Sequence, residues 1–202
     1  MTGHSKLYGL VLAGGRSSRM GQDKSRLSWY GRPLYQHMIS LLTSAGIDHV
    51  LVSGSGFAKG KADSGSTLGA EFLVESIGDI FPDRGPLSGL HATVQQLHDG
   101  DRLLVIPVDM PLVPAEAIRR LCDQQQACCF EGFNLPVVLP VSSNLRQVIE
   151  RAIQSDNPKD YALWRLYQQL GGQTIPLPPA MADYFDNANT PEDWRHLMTK
   201  HF

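Results

Sequence analysis

The chain of 202 residues is poor in the groups that usually announce catalysis. Its three cysteines, Cys122, Cys128 and Cys129, are odd in number and lack the paired spacing of a zinc site or a disulfide framework. They read as reduced thiols in an apolar setting. Its seven histidines form no His-Glu-x-x-His motif and no i, i+4 pair. His37, His91 and His98 fall within predicted helices and read as structural or solvated. No apolar run approaches the roughly 20 residues that span a bilayer. Met1–Lys6 is too polar and too short for a signal peptide, so a cytoplasmic protein without membrane contact is expected. A net charge of −2 leaves no broad basic surface for nucleic acid. There is no repeat and no low-complexity linker, and the length fits one domain, 1–202, with a sizeable core.

The common phosphate loops are missing too. A Walker A loop has four residues between its glycines and a lysine directly after the second. Here Gly15 and Gly21 enclose five residues, and Gln22-Asp23 separate Gly21 from Lys24. The stretch Gly54-Ser-Gly56-Phe-Ala-Lys-Gly60 misses the dinucleotide spacing by one residue and reads as an ordinary loop.

What is present is the run Leu12-Ala13-Gly14-Gly15-Arg16-Ser17-Ser18-Arg19-Met20-Gly21-Gln22-Asp23-Lys24. It follows an apolar stretch, Leu7–Leu12, that reads as a buried strand. Glycines let backbone N–H groups turn toward a ligand and approach it closely. Arg16, Arg19 and Lys24 bring positive charge to the same loop. A polyphosphate site at the carboxyl end of a first strand is where open α/β sheets bind ligands. A surface turn with solvated arginines is the plainer alternative.

The rest of the chain alternates strand and helix. Strands are predicted at Leu7–Ala13, Val50–Ser53, Phe72–Glu75, Arg102–Val108, Leu135–Val141 and Thr174–Leu177. Pro136 and Pro140 make the fifth short or place it at an edge. Helices are predicted at Pro33–Ala45, Pro86–His98, Pro114–Gln126, Leu145–Ile153 and Tyr161–Leu170. A last helix starts at Thr190-Pro191-Glu192-Asp193, with Thr as N-cap, Pro at N1 and acids near the positive end. The alternation implies a mostly parallel sheet with helices on both faces.

The first loop resembles the signature of the molybdenum cofactor guanylyltransferases, Leu-Ala-Gly-Gly-x-Ser-x-Arg-Met-Gly-x-Asp-Lys. Three later blocks resemble that family in order and spacing: Gly85-Pro-Leu-Ser-Gly89, Val108-Asp-Met-Pro111 and Phe185-Asp-Asn-Ala-Asn-Thr-Pro-Glu-Asp193. The likeness spans nearly the whole chain. It implies a single-domain Rossmann-like (GT-A-type) three-layer α/β fold. The implied reaction moves GMP from GTP to molybdopterin and releases pyrophosphate. A related transferase using CTP or another phosphorylated acceptor, such as a sugar phosphate, is one alternative; a non-catalytic nucleotide or cofactor carrier is the other. Other proteins of molybdenum cofactor synthesis and molybdoenzyme chaperones are the partners implied.

The residues suit such chemistry. The acceptor phosphate is already an anion, so the reaction needs neutralised charge and in-line placement more than a strong base. Lys24 and Arg19, with the amides of Gly14 and Gly15, are the expected catalytic and phosphate-binding groups. Mg2+ is the expected cofactor, bridging the phosphates and polarising the α-phosphorus. Asp109, at the end of an apolar strand and bracketed by Pro107 and Pro111, is its candidate ligand. Taken alone, an Asp before Pro111 reads equally as a turn residue; the resemblance implies the metal ligand. Asp186, Asn187 and Asn189 belong to the closing motif, where Asn189 is a candidate for orienting the site. Asp23 is expected to hold the loop by accepting backbone N–H bonds or pairing with Arg19.

For the base, the resemblance implies Leu12, Ala13, Ser53 and Glu75. A carboxylate accepts from both N1–H and N2–H₂ of guanine. Gly85–Gly89 brings a helix N-terminus near the nucleotide or the acceptor, or serves only tight packing. The clearest departure from the family lies at Phe130-Glu-Gly-Phe-Asn-Leu135, where the family's charged cluster before an apolar strand is missing. Aromatics there are candidates to stack on a pterin. Arg146, Arg151 or Lys159 are candidates to replace the charges.

Overall fold

The computed structural model describes residues 5–14, 23–54, 73–77 (backbone only), 81 and 84–200. Strand β1 (Leu7–Leu12) is followed, beyond the glycine-rich loop, by a 3-10 turn at Lys24–Arg26. A short hairpin of β2 (Ser28–Trp29) and β3 (Arg32–Pro33) leads into α1 (Leu34–Ser44). Next come β4 (His49–Ser53), β5 (Leu73–Ile77), α2 (Pro86–Val94), β6 (Arg102–Pro107) and α3 (Ala115–Cys122). The second half holds β7 (Cys128–Phe130), β8 (Val137–Pro140), α4 (Ser143–Ile153), α5 (Leu163–Gln169), β9 (Gln173–Ile175) and α6 (Pro191–Lys200).

Seven strands form one sheet in the order β5-β4-β1-β6-β8-β7-β9. Every neighbouring pair is parallel except those of β8, which runs antiparallel to β6 and to β7. The central strands are apolar on both faces because both faces are covered. Val11, Leu104 and Ile106 join a core with α1, α3 and α6; Leu10, Leu12, Leu103 and Val105 join a second core with α2, α4 and α5. Helix α4 shows how the covering works. Leu145, Val148, Ile149, Ala152 and Ile153 repeat at helical spacing and are buried, and the Ser142 hydroxyl caps the helix by accepting from the Leu145 N–H at 3.2 Å. This is the expected α/β three-layer fold with a mostly parallel sheet.

The strand order fixes where a ligand can bind. From β1 the chain winds one way to β4 and β5, then crosses back to place β6 on the other side of β1. The crevice between the carboxyl ends of β1 and β6 is the topological switch point.

Some expected elements differ. The helix expected at Pro114–Gln126 ends at Cys122, and the next residues turn into β7, which the sequence reading did not contain. Cys128 and Cys129 therefore lie in a strand, and all three cysteines are buried free thiols. The strand around Pro136 and Pro140 is short, as expected, but internal: β8 lies between β6 and β7. Both prolines fall at its ends, where a missing N–H costs little. The helix expected at Tyr161–Leu170 is split into a 3-10 turn, Pro158–Tyr161, and α5. The strand expected at Phe72–Glu75 is β5, which runs on to Ile77.

Candidate active site

Lys24 reaches the switch point from just after the glycine-rich loop. Its backbone is set by Asp23, whose carboxylate caps the 3-10 turn by accepting from the Ser25 N–H at 2.9 Å and the Ser25 hydroxyl at 2.7 Å. Among the described residues, Arg26 also pairs with Asp23, at 3.5 Å. Arg19, Arg16 and Gly15 lie outside the described residues. Ala13 and Gly14 sit half-buried at the carboxyl end of β1, and the Ala13 N–H donates to the Ser53 carbonyl at 2.8 Å.

Asp109 comes from the other side of the crevice, two residues beyond β6. The Val108 N–H donates to the Leu12 carbonyl at 3.0 Å, which continues the ladder and directs the next residue out of the sheet edge. Downstream, the Nε2–H of His37 donates to the Pro111 carbonyl at 2.8 Å, tying this turn to α1. The sequence reading gave His37 no role. Its partner is 74 residues away, and no local pattern signals the contact.

A third segment closes the group. The Ala188 N–H donates to the Asp109 carbonyl at 2.9 Å. Asn189 is then fixed by the start of α6: Asp193 accepts from the N–H groups of Asn189 at 3.0 Å and Thr190 at 2.8 Å, while its own N–H donates to the Thr190 hydroxyl at 3.1 Å. Hydrogen bonds from Thr190, then from the Asn189 amide, and the Lys24 charge hold the Asp193 carboxyl below the usual carboxylate range. Asp186, by contrast, pairs with Lys200 at 2.7 Å and takes no part in the group.

The three segments meet at one point. The Lys24 ammonium donates to Asp109 Oδ2 at 3.0 Å and to Asn189 Oδ1 at 3.0 Å. The Lys24 and Asp109 side chains are 16% and 17% exposed, so solvent reaches them but does not surround them. A carboxylate oxygen and a carboxamide oxygen thus converge on a cation. Oxygen donors with one protein carboxylate suit a hard divalent ion that also binds phosphate oxygens. The donor set therefore fits the metal that the sequence reading expected at Asp109.

The residues expected at the base are deeply packed. Leu12 is 4% exposed and Ser53 2%. The Ser53 side chain lies against α2: a Cβ on Gly89 would stand 2.2 Å from its Oγ. Gly89 is thus required for close packing of α2 on β4. Gly54 is also tightly placed, though less so: a Cβ there would lie 3.0 Å from the Gly14 nitrogen and 3.1 Å from the Ala13 carbonyl carbon, so this backbone would have to give by a few tenths of an ångström. Glu75 does not end its strand. It sits in mid-β5 opposite Leu51, and the residue in register with Ser53 is Ile77.

The residues expected to face the acceptor differ from expectation. Phe130 is 0% exposed and packs edge-on against Phe185, so it cannot stack on a pterin. Phe133 is half-buried against the same Phe185 ring, 4.9 Å between centroids. Arg146 is committed elsewhere: it pairs with Asp99 and donates to the Val94 and Leu97 carbonyls, at the sheet edge opposite Asp109. Arg151 donates to the Gln147 carbonyl of its own helix, and Lys159 is exposed in the 3-10 turn. Arg84, which the sequence reading did not single out, brings a cation to the start of α2, 4.4 Å from the Tyr161 ring centre.

A sheet that gathers an ammonium, a carboxylate and a carboxamide at its switch point is equipped to handle phosphate charge, and the fold is that of the nucleotidyltransferases. Within that class the chain belongs to the MobA-like NTP transferase family, whose model matches residues 9–174. A molybdenum cofactor guanylyltransferase of Xanthomonas euvesicatoria pv. vesicatoria is 37% identical over 192 residues, 94% of this chain and 93% of the relative. The crystal structure of molybdopterin-guanine dinucleotide biosynthesis protein A from Archaeoglobus fulgidus superposes with a TM-score of 0.70 at 18% identity, over 96% of this chain and 97% of that one. A 4-diphosphocytidyl-2C-methyl-D-erythritol synthase from Anaerococcus prevotii superposes with a TM-score of 0.67 at 9% identity, over 97% and 96%.

Proposed function

We propose that this protein transfers GMP from GTP to the terminal phosphate of molybdopterin-type molybdenum cofactor and releases pyrophosphate. The convergence of Lys24, Asp109 and Asn189 at the switch point carries the transferase part of this reading. The relative's name supports guanosine and the molybdenum cofactor as donor and acceptor. The acceptor phosphate oxygen forms a bond to the α-phosphorus, and the bond from that phosphorus to the bridging oxygen of the β-phosphate breaks. The electron pair leaves with pyrophosphate. No proton need be abstracted from an acceptor that is ionised at neutral pH.

The residues divide the work. Lys24 neutralises phosphate charge as it shifts toward the leaving group, and the Ala13–Gly14 backbone offers close approach to the nucleotide. Arg19 and the Gly15 amide are proposed to join them. Asp109 and Asn189 would hold a divalent ion, for which we propose Mg2+; when bound it would supply Lewis acidity, neutralising phosphate charge and polarising the α-phosphorus. Leu12 and Ser53 support the base from beneath, since both side chains are buried. Glu75 is the carboxylate proposed to read guanine. A cytoplasmic setting, and contacts with other proteins of molybdenum cofactor synthesis and with molybdoenzyme chaperones, follow from the same reading. Among the described residues no helix is long and apolar enough to cross a membrane.

Pyrophosphate release tests the proposal directly, with GTP, CTP, ATP or UTP and with or without molybdopterin. The expected result is release with GTP only when molybdopterin is present. Release with CTP instead would move the protein to a sister activity. No molybdopterin-dependent release with any nucleotide would overturn the acceptor.

A further inference from the structure

The reading above requires Lys24 in two places. Its ammonium lies 3.0 Å from Asp109 Oδ2 and 3.0 Å from Asn189 Oδ1. During transfer it would contact the phosphates, while Asp109 and Asn189 would hold a divalent ion. A dication and an ammonium sharing two oxygen ligands in a partly buried crevice repel each other strongly. A dication taking Asp109 Oδ2 and Asn189 Oδ1 would have to displace Lys24 from them.

We propose that Lys24 is the resident cation of the free enzyme and is exchanged for the divalent ion when metal and nucleotide arrive together. The surroundings suit an exchange confined to one side chain. Asp23 caps the turn that carries the Lys24 backbone. The Ala188 N–H holds Asp109 at its carbonyl, and Asp193 holds Asn189 at its amide. The backbones that carry the two oxygens are therefore anchored while the flexible four-carbon stem of Lys24 swings away. The nucleotide drives the swing in two ways. It brings an ion that outcompetes a monovalent ammonium for the carboxylate, and it offers the ammonium phosphate oxygens in return.

The exchange imposes an order. Free divalent metal meets a site already neutralised by Lys24, so it binds weakly until the nucleotide draws the lysine off. The preformed ion pair also keeps Asp109 and Asn189 at binding distance from a common cation, so the site need not be assembled from separated parts.

This inference rests on the reading of Asp109 and Asn189 as metal ligands, and its test separates the two. Mn2+ binding to the nucleotide-free protein is measured by loss of the free-ion electron paramagnetic resonance signal. The proteins compared are the wild type, Lys24→Met, Lys24→Gln and the double variant Lys24→Met, Asp109→Ala. Circular dichroism checks folding, and the glutamine variant serves if the methionine variant fails to fold. The expected result is Mn2+ binding about tenfold or more tighter in the Lys24 variants than in the wild type, because a competing charge has been removed. The gain should vanish in the double variant. Equal affinity in the wild type and the Lys24 variants, still dependent on Asp109, would overturn the exchange and leave the metal site standing. A gain in Lys24→Met that survives Asp109→Ala would place the ion elsewhere and overturn the metal site itself.

Discussion

Replacing Gly89 with alanine probes the packing beneath the nucleotide site. A Cβ at this position would lie 2.2 Å from Ser53 Oγ and 2.6 Å from Ser53 Cβ, with Leu12 Cδ2 at an ordinary 3.5 Å. Rotation about the serine χ1 can move Oγ but not Cβ. Because Ser53 is buried on β4, relief must come from sliding α2 off the sheet. Overpacking of this kind costs about 1–3 kcal/mol. Against it stands the gain of about 1 kcal/mol from replacing glycine inside a helix. The 2.6 Å approach to a carbon that cannot rotate away puts the clash at the upper end, so the net loss is about 1–2 kcal/mol. For a chain of this size that lowers Tm by roughly 2–8 °C. Ser53→Gly removes both clashing atoms, so the double variant should recover stability, with a coupling of about 1–3 kcal/mol between the sites. Urea denaturation followed by circular dichroism gives all four corners of the cycle, with unchanged m-values as the control. A Gly89→Ala protein as stable as the wild type, or one equally destabilised in the Ser53→Gly background, would refute the close approach of α2 to β4.

Asp109→Ala is expected to lower transfer by about 10²–10³ with the fold intact, as for loss of a main electrostatic element; near wild-type turnover in saturating divalent metal would remove Asp109 from the mechanism. Glu75→Gln should weaken GTP by about 1–3 kcal/mol, more than it weakens ATP or CTP; equal losses measured by calorimetry would place Glu75 away from the base. Burial pushes the Cys122 thiol up to about 11 and raises Cys128 and Cys129 as well. At pH 8 the native protein should therefore resist iodoacetamide, whereas the urea-unfolded chain takes up one label on each of its three cysteines; rapid native labelling, read by mass spectrometry, would contradict the burial. The lowered carboxyl of Asp193 stabilises the folded state above its ordinary range, and that contribution disappears as pH falls through the lowered folded value. Below about pH 4 the wild type should lose more stability than Asp193→Asn; parallel acid curves would show that the cap has no such part.

How much could be read from the sequence depended on the distance over which each feature is specified. The β1 loop, the strand leading to Asp109 and the Thr190 cap are local patterns, and the structure places Lys24, Asp109 and the start of α6 accordingly. The joining of Lys24 to Asn189 spans 165 residues and has no local signature. Arg146 looked available because a positive charge on a helix is ordinarily solvated. Its use on Asp99 and two carbonyls depends on how α4 lies beside the turn after α2. Strand β7 was missed because Cys128–Phe130 is only three residues long and follows a helix with no breaker between them. Phe130 was read as an aromatic of an acceptor loop, but as the last residue of that strand it is committed to the core. The apolar pattern stops at Glu75, which puts the strand's end there in the sequence; pairing with β4 carries the strand two residues further.

The reversal of β8 gives the molecule two sides that can change independently. A parallel neighbour must be reached by a long crossover, usually with a helix, so altering its loops disturbs a whole layer. Because β8 runs backward, β7 passes the chain to it through residues 131–136 at the same edge as Asp109, anchored by strand at either end. A connection of this kind can be lengthened, shortened or recharged without shifting a helix. Phe133 leans on Phe185, four residues before Asn189, so a change in this hairpin is felt beside the carboxamide before it reaches β1 or β4. This edge of the sheet can thus be rewritten through a short hairpin, while β1 and the turn that carries Lys24 stay as they are.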